Sequence, residues 1–161
     1  MSITIIQADY ANSDHAKAIP ALLNAYALDP MGGGTALKHE VTQALVTELA
    51  KLPHAMTLLA FVDDEPAGLA NCFEAFSTFA CKPIINIHDI AVLPKFRGLG
   101  LSQHLLQKIE EIAIDKGCCK MTLEVLSNNH VAKSAYTKFG FQDYVLDPNA
   151  GTALFWQKSL S

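Results

Sequence analysis

The stretch Ile84-Ile85-Asn86-Ile87-His88-Asp89-Ile90-Ala91-Val92-Leu93-Pro94-Lys95-Phe96-Arg97-Gly98-Leu99-Gly100-Leu101-Ser102-Gln103 decides how this chain folds. Residues 84–92 are apolar on both alternating faces, which predicts a strand in the middle of a covered sheet. The glycines at 98 and 100 then turn the chain into a helix running to about residue 116. Leu101, Leu105, Ile109, Ile112 and Ala113 form its apolar face, and Gln103, Gln107, Glu110, Glu111 and Lys116 its polar face. Gly117 suits the position that closes such a helix. Residues 119–125 alternate again, with Cys119, Met121, Leu123 and Val125 on one side and Lys120, Thr122 and Glu124 on the other. The whole is a strand–helix–strand crossover over 84–125, which requires parallel outer strands.

Upstream, residues 3–8 read as a strand. Residues 14–28 read as a helix with Ile19, Leu22, Leu23 and Tyr26 at helical spacing, Asp14 as its cap and Pro20 as its weak point. The segment Asp29–Thr35, with glycines at 32, 33 and 34, breaks the chain, and a second helix follows over about 36–51. Residues 56–62 and 67–79 read as strands joined by the turn Asp63-Asp64-Glu65-Pro66. Downstream, 129–138 reads as a short helix and 141–145 with 152–157 as a closing hairpin. The order β α α β β β α β α β β predicts an α/β fold, a mixed and mostly antiparallel central sheet with helices on both faces. No repeat or linker interrupts it, so a single domain over 1–161 is expected.

Lysine plus arginine total 12 and aspartate plus glutamate 16, a net charge of −4. That balance offers no general field for nucleic acid or an anionic membrane, so a phosphate-rich ligand would need a local site. No apolar run approaches the roughly 18–20 residues that span a bilayer. The first residues lack the basic and apolar parts of a secretion signal, so a cytoplasmic protein is expected. The cysteines are then thiols. Cys118 and Cys119 are adjacent and lack ligand spacing, so no metal site is expected.

The turn at 97–103 is the strongest local signal. Glycine lets a backbone approach a ligand closely. The first turn of the following helix presents N–H groups without partners and a positive dipole end, which suit a pyrophosphate. Lys95 and Arg97 add positive charge. The plain alternative is a tight turn with glycine for packing. The nucleotide loop GxxxxGK[ST] is absent, and the dinucleotide pattern GxGxxG fails at its third glycine, where Gln103 stands.

The run Val92-Leu93-Pro94-Lys95-Phe96-Arg97-Gly98-Leu99-Gly100-Leu101-Ser102 resembles the acetyl-CoA loop of the GNAT superfamily of N-acetyltransferases, whose pattern is [QR]-x-x-G-x-[GA]. Arg97, Gly100 and Ser102 take its fixed positions, and Ser102 departs from Gly or Ala. Asn129-His130-Val131-Ala132-Lys133-Ser134-Ala135-Tyr136-Thr137-Lys138-Phe139-Gly140-Phe141 is similar to that family's N-x-x-A-x-x-x-Y-x-x-x-G-F segment. The resemblance covers 56–145, the CoA-binding core. It leaves 1–55 as the acceptor side and 146–161 as a C-terminal hairpin strand.

The resemblance implies acetyl-CoA as acyl donor, a GNAT-like fold, and direct transfer to an amine in a ternary complex. It implies CoA contacts from Arg97, Gly98, Leu99, Gly100, Leu101, Ser102 and Gln103, and pantetheine contacts from the main chain of Ile90, Ala91 and Val92 and from Asn129. Tyr136 is the implied general acid for the CoA thiolate; packing on its helix is the plain alternative. For the base, Glu124 stands where ribosomal-protein alanine acetyltransferases of the superfamily carry a glutamate. His88 is a second candidate, since an imidazole suits proton transfer near neutral pH. Asp89 is a third group of interest, as an attractor for an ammonium. On an alternating strand His88 and Asp89 point to opposite faces; a structural hydrogen-bond network or a water relay would also account for them. The acceptor is open among a small amine, an amino acid, a polyamine and a peptide amine. A homodimer is open too, since family members often dimerise, although no stretch marks an interface. A CoA-binding sensor without chemistry and an enzyme using another acyl-CoA are the competing readings.

Overall fold

The computed structural model describes residues 1–160. They form two compact units, the first ending at Leu123 and the second starting at Glu124.

The first unit holds strands β1 (Ile3–Gln7), β2 (Ala55–Val62), β3 (Glu65–Ser77), β4 (Lys82–Val92) and β5 (Met121–Leu123), and helices α1 (Ser13–Leu28), α2 (His39–Ala50) and α3 (Leu101–Asp115). The strands lie in sequence order in one sheet. Pairs β1–β2, β2–β3 and β3–β4 are antiparallel and β4–β5 is parallel, as the crossover requires. The mixed, mostly antiparallel sheet is thus as expected.

Alternation along β2 divides the core between two faces. Leu59 packs with Leu69, with Ala18, Ile19 and Leu22 of α1, and with Leu49 of α2. Val62, on the opposite face, packs with Ala67 and with Leu101 of α3. Leu105, Leu106 and Ile109 of α3 are fully buried. Burying each such side chain stabilises the fold by about 1.5–3 kcal/mol. Helices therefore cover both faces.

Local differences from the sequence reading have local causes. Asn12, not Asp14, caps α1, its side chain accepting from the N–H groups of Asp14 and His15. Helix α1 continues through Pro20. Helix α2 begins at His39, later than the expected 36, and the Leu37 N–H ahead of it is taken by the Asn24 side chain at 2.8 Å. Gly68 has a steric reason: a Cβ there would stand 2.8 Å from the Ala91 carbonyl oxygen of β4.

The second unit contains α4 (His130–Phe139). Asn129 caps it by accepting from the Ala132 N–H at 3.2 Å, and Gly140, with φ 119°, closes it in a left-handed conformation. The hairpin expected from 141–145 and 152–157 is not formed as strands. Asp147 caps a short 3-10 turn over Pro148–Ala150, and the Ala153 N–H reaches the Tyr144 carbonyl at 3.3 Å, without a ladder beyond it. Tyr144, Phe155 and Trp156 are exposed. Aromatic and β-branched residues such as Tyr144, Val145, Phe155 and Trp156 record a tendency to form a strand, but a strand needs a neighbour to hydrogen-bond it and a face to cover it.

Candidate active site on β4 and the turn into α3

Strand β4 is paired on both sides only in its first half. Its ladder with β5 joins Ile85 to Met121, Asn86 to Thr122 and Ile87 to Leu123, and stops there. On the other side, pairing with β3 continues through Ala91 and Val92. The Leu93 N–H donates to the Ala67 carbonyl of β3. Backbone groups alternate in direction along an antiparallel strand, so those of Ala91 also face β3 and those of Ile90 and Val92 point away from it. Among the described residues of the first unit, no strand takes these outward groups.

The strand leads directly into the glycine turn. A 3-10 turn over Pro94–Phe96 closes with Phe96 bonded to Leu93 and Arg97 bonded to Pro94. Gly98 and Gly100 both have left-handed φ, 82° and 76°, which L side chains rarely adopt. Gly100 is the N-cap of α3, and no side chain caps that helix. The first helical turn, from Leu101 through Ser102, therefore presents N–H groups that no carbonyl of the helix can take. An outward strand edge followed by an uncapped helix start fits CoA: the edge for the pantetheine amides, the helix start for the pyrophosphate. The two cations of the turn are both paired, Lys95 with Glu65 and Arg97 with Asp29 at 3.3 Å.

His88 and Asp89 do not point to opposite faces. The ladder runs from Asn71↔Asp89 directly to Cys72↔Ile87, so His88 is the extra residue of a β-bulge. The bulge brings both side chains to the sheet face on which α1 and α2 pack, His88 exposed and Asp89 half-buried. His88 meets the Phe73 ring edge-on at 5.6 Å, and Phe73 packs against the α1–α2 cluster. Asp89 accepts from the Asn71 amide at 3.0 Å. Asn71 in turn accepts from the Thr57 hydroxyl at 2.7 Å, which bonds the Tyr10 hydroxyl at 2.9 Å. Above Asp89 stands Tyr26 of α1. Burial pushes its phenol above the ordinary range, and the carboxylates of Asp89 and Asp29 push it further.

The thiol nearest this face is not a nucleophile in waiting. Burial pushes Cys72 up to about 12, with Asp89 adding to the effect. Among the described residues no group of side chains could hold a metal ion. No helix is long and apolar enough to cross a membrane.

The remaining expected residues belong to the second unit. Glu124 lies one residue past β5, outside any strand and exposed, where a place on a strand face was expected. Asn129 uses its side-chain oxygen as the α4 cap, leaving its NH2 group for another partner. Tyr136 is half-buried and meets Phe141 edge-on at 6.0 Å. Asn71, Thr57 and Tyr10 escaped the sequence reading. A single threonine or asparagine inside an apolar strand carries no motif, and only the strand register brings them together.

Comparison with known proteins identifies the family and the fold. Residues 20–141 match the family described as Acetyltransferase (GNAT) family. A thialysine N-epsilon-acetyltransferase of Caenorhabditis elegans is 34% identical over 87 residues, 54% of this chain and 52% of that protein. The chain thus spans about half the length of the curated relatives of this kind that it matches. Among solved structures, a probable acetyltransferase superposes with a TM-score of 0.80 at 21% identity, covering 98% of both chains. The aminoglycoside acetyltransferase AAC(6')-Iy, in complex with a bisubstrate analogue built on CoA, superposes with a TM-score of 0.75 at 20% identity, covering 99% of both. Together with the outward edge of β4 and the uncapped glycine turn, the family match over residues 20–141 establishes that this chain belongs to the GNAT acetyltransferase family.

Proposed function

We propose that this chain is an N-acetyltransferase that moves an acetyl group from acetyl-CoA directly onto a primary amine, with both substrates bound at once. The observation that carries the reading is the continuity of two backbone features: the β4 edge at Ile90 and Val92 runs straight into the uncapped start of α3. Acetyl-CoA supplies the acetyl group as a thioester. In this reading the N–H groups of the turn from Gly98 to Gln103 hold the phosphates, and the outward groups of Ile90 and Val92 hold the pantetheine arm. An outward main-chain N–H of this edge is the donor for the acetyl carbonyl; one such donor contributes about 10²–10³ in rate in other enzymes. The family resemblance supplies the remaining roles: Asn129 as the amide contact to the arm and Tyr136 as the acid that gives the departing sulfur its proton. The amine nitrogen bonds the carbonyl carbon as the carbon–sulfur bond breaks, and the proton lost from nitrogen passes to a base. His88 is our first choice for that base, because the bulge sets it beside Asp89 under the acceptor-side helices; Glu124 is the second.

The acceptor in this reading arrives as a cation. Asp89 supports it: among the described residues this half-buried carboxylate forms no ion pair and accepts from a neutral amide. Similarity to a thialysine N-epsilon-acetyltransferase points the same way, toward a small amine of amino-acid type. We treat 1–161 as one functional domain acting in the cytoplasm, with 1–55 shaping the acceptor side.

The test is release of free CoA thiol over a panel holding thialysine, a diamine, an aminoglycoside and a peptide amine, beside thermal unfolding with acetyl-CoA. We expect acetyl-CoA to raise the melting temperature and at least one small cationic amine to turn over. Tyr136→Phe is expected to lose turnover and keep acetyl-CoA affinity. Stabilisation by acetyl-CoA without turnover of any amine would leave a CoA-binding module, and no stabilisation would end the CoA reading.

A further inference from the structure

We infer that Asn71 is a positioning residue for amine recognition, set in place by Thr57 and Tyr10: it binds one oxygen of Asp89 so that the other is presented to the acceptor's ammonium. This rests on the acceptor reading above.

Thr57 and Asn71 are 1% and 3% exposed, in the middle of an apolar sheet face. Apolar side chains of similar size would pack there without the cost of burying polar groups. The two polar groups are fully bonded to one another and onward, and no buried side-chain nitrogen or oxygen among the described residues is left without a partner.

The direction of the chain follows from the chemistry. A carboxylate only accepts, so Asn71 must turn its NH2 to Asp89 Oδ2 and its Oδ1 toward Thr57. Thr57 then donates its one hydroxyl proton to Asn71 at 2.7 Å. The Tyr10 hydroxyl, 2.9 Å from Thr57 Oγ1, must therefore be the donor there. All three donors point the same way, from Tyr10 through Thr57 and Asn71 to Asp89. If Thr57 stopped donating, the Asn71 amide would keep its bond to Asp89 but lose the second contact that fixes its plane, and the carboxylate oxygen it holds would be less firmly placed.

The register fixes the same line. Thr57 stands directly opposite Asn71, and Asn71 directly opposite Asp89, across three neighbouring strands. The ladder breaks at the next position of β4, the His88 bulge, which gives the Asp89 side chain its own direction. Asp89 is the residue next to Ile90, where the outward β4 edge begins, so an ammonium held at Asp89 stands at the acceptor end of that edge.

The test uses the full chain with thialysine as the cationic acceptor and Thr57→Val as the main variant, which keeps the shape and removes the hydroxyl. Expected is a five- to tenfold rise in KM for thialysine, with kcat and acetyl-CoA affinity within twofold of wild type. Thr57→Ser restores the wild-type KM. In an Asp89→Asn background Thr57→Val adds nothing further to KM. Tyr10→Phe gives a smaller rise in the same direction and stands in if Thr57→Val does not fold. If Asp89→Asn raises KM but neither relay variant does, the positioning role is wrong and the acceptor reading stands. If Asp89→Asn leaves KM unchanged, both fall. If the relay variants change thermal stability alone, or if Thr57→Ser behaves as Thr57→Val, the relay is structural only. If no cationic amine of the panel turns over while acetyl-CoA stabilises the protein, the inference and the cationic acceptor fall together and the CoA site stands; if a panel amine other than thialysine is the one turned over, the same KM comparisons are made with it and decide the inference.

Discussion

The Arg97 guanidinium lies 3.3 Å from the Asp29 carboxylate, tying the turn ahead of α3 to the end of α1. The side chains are 57% and 31% exposed, so the pair is screened by solvent and contributes on the order of 0.2–1 kcal/mol. Asp29 also caps the 3-10 turn that follows α1 by accepting from the Met31 N–H at 2.9 Å. That bond, and then Arg97, hold its carboxyl below the ordinary carboxylate range.

A folded-state pKa that lies below the unfolded value stabilises the protein above the unfolded value, and the gain is lost as pH falls through the folded one. Asp29→Asn keeps a capping side chain and removes the charge. It is expected to lower stability slightly at neutral pH, with the difference from wild type closing as pH falls through the carboxylate range. The same variant frees Arg97, so acetyl-CoA should bind as tightly or up to about fivefold more tightly at low salt, and equally at high salt. Thermal melts and calorimetric titration read both effects. Weaker acetyl-CoA binding in Asp29→Asn would mean that the pair helps hold the turn in its binding shape.

Two glycines of the site make separable predictions. Gly98 has open space around it but a φ of 82°, so Gly98→Ala meets conformational strain of about 1–2 kcal/mol and no clash. If the turn relaxes to relieve that strain, its N–H groups move and acetyl-CoA affinity falls about tenfold while the melting temperature changes little. Gly68→Ala has an ordinary backbone conformation and a clash, its Cβ 2.8 Å from the Ala91 carbonyl oxygen. It should lower the melting temperature first, by pushing β4 off β3. A Gly68→Ala protein as stable as wild type would show that β4 can shift, and its outward edge with it.

How much of this was legible without coordinates depended on the range over which each signal acts. The crossover from β4 through α3 could be read because strand, glycine turn and amphipathic helix are each written in neighbouring residues. The relation of His88 to Asp89 could not be read. Both lie in one apolar run, and the bulge that turns them to the same face exists only because β3 opposes Asn71 and Cys72 to Asp89 and Ile87. Thr57 sits in Met56-Thr57-Leu58-Leu59, where threonine is simply a good strand former. Its role appears when a partner strand places Asn71 opposite it. Residues 141–145 and 152–157 show the converse error, a run of strand-favouring residues read as a hairpin where no ladder forms.

The thiols give a prediction about route. Cys72 is buried and its pKa is pushed up to about 12, whereas Cys81 and Cys119 are exposed. A disulfide thiol reagent should label Cys81 and Cys119 in the folded protein and reach Cys72 only on unfolding. Incubation with acetyl-CoA, followed by intact-mass measurement, should show no acetyl group retained on the chain. An acetyl adduct mapping to Cys72 would replace direct transfer with a two-step route.

The acceptor face can also be followed through its phenols. Burial raises Tyr26, and the Asp89 and Asp29 carboxylates raise it further, because ionising the phenol would place a third negative charge beside them. Burial raises Tyr10 as well, against the opposing bond to Thr57. An alkaline titration followed by ultraviolet absorbance should therefore show phenols ionising later than the ordinary value of about 10. Tyr26→Phe should remove one of the late phenols. Asp89→Asn should bring Tyr26 down toward the ordinary range, with burial still keeping it above. The sign for stability is opposite to that of Asp29. A folded pKa above the unfolded one contributes stability in full below the unfolded value, and the contribution is lost as pH rises through the folded value. The wild type should thus lose stability more steeply than Tyr26→Phe above about pH 10, the range in which the unfolded chain gives up phenolic protons that the folded one retains. A Tyr26 titration that does not respond to Asp89→Asn would show that the carboxylate faces away from α1, and with it the acceptor would have to lie elsewhere on the sheet.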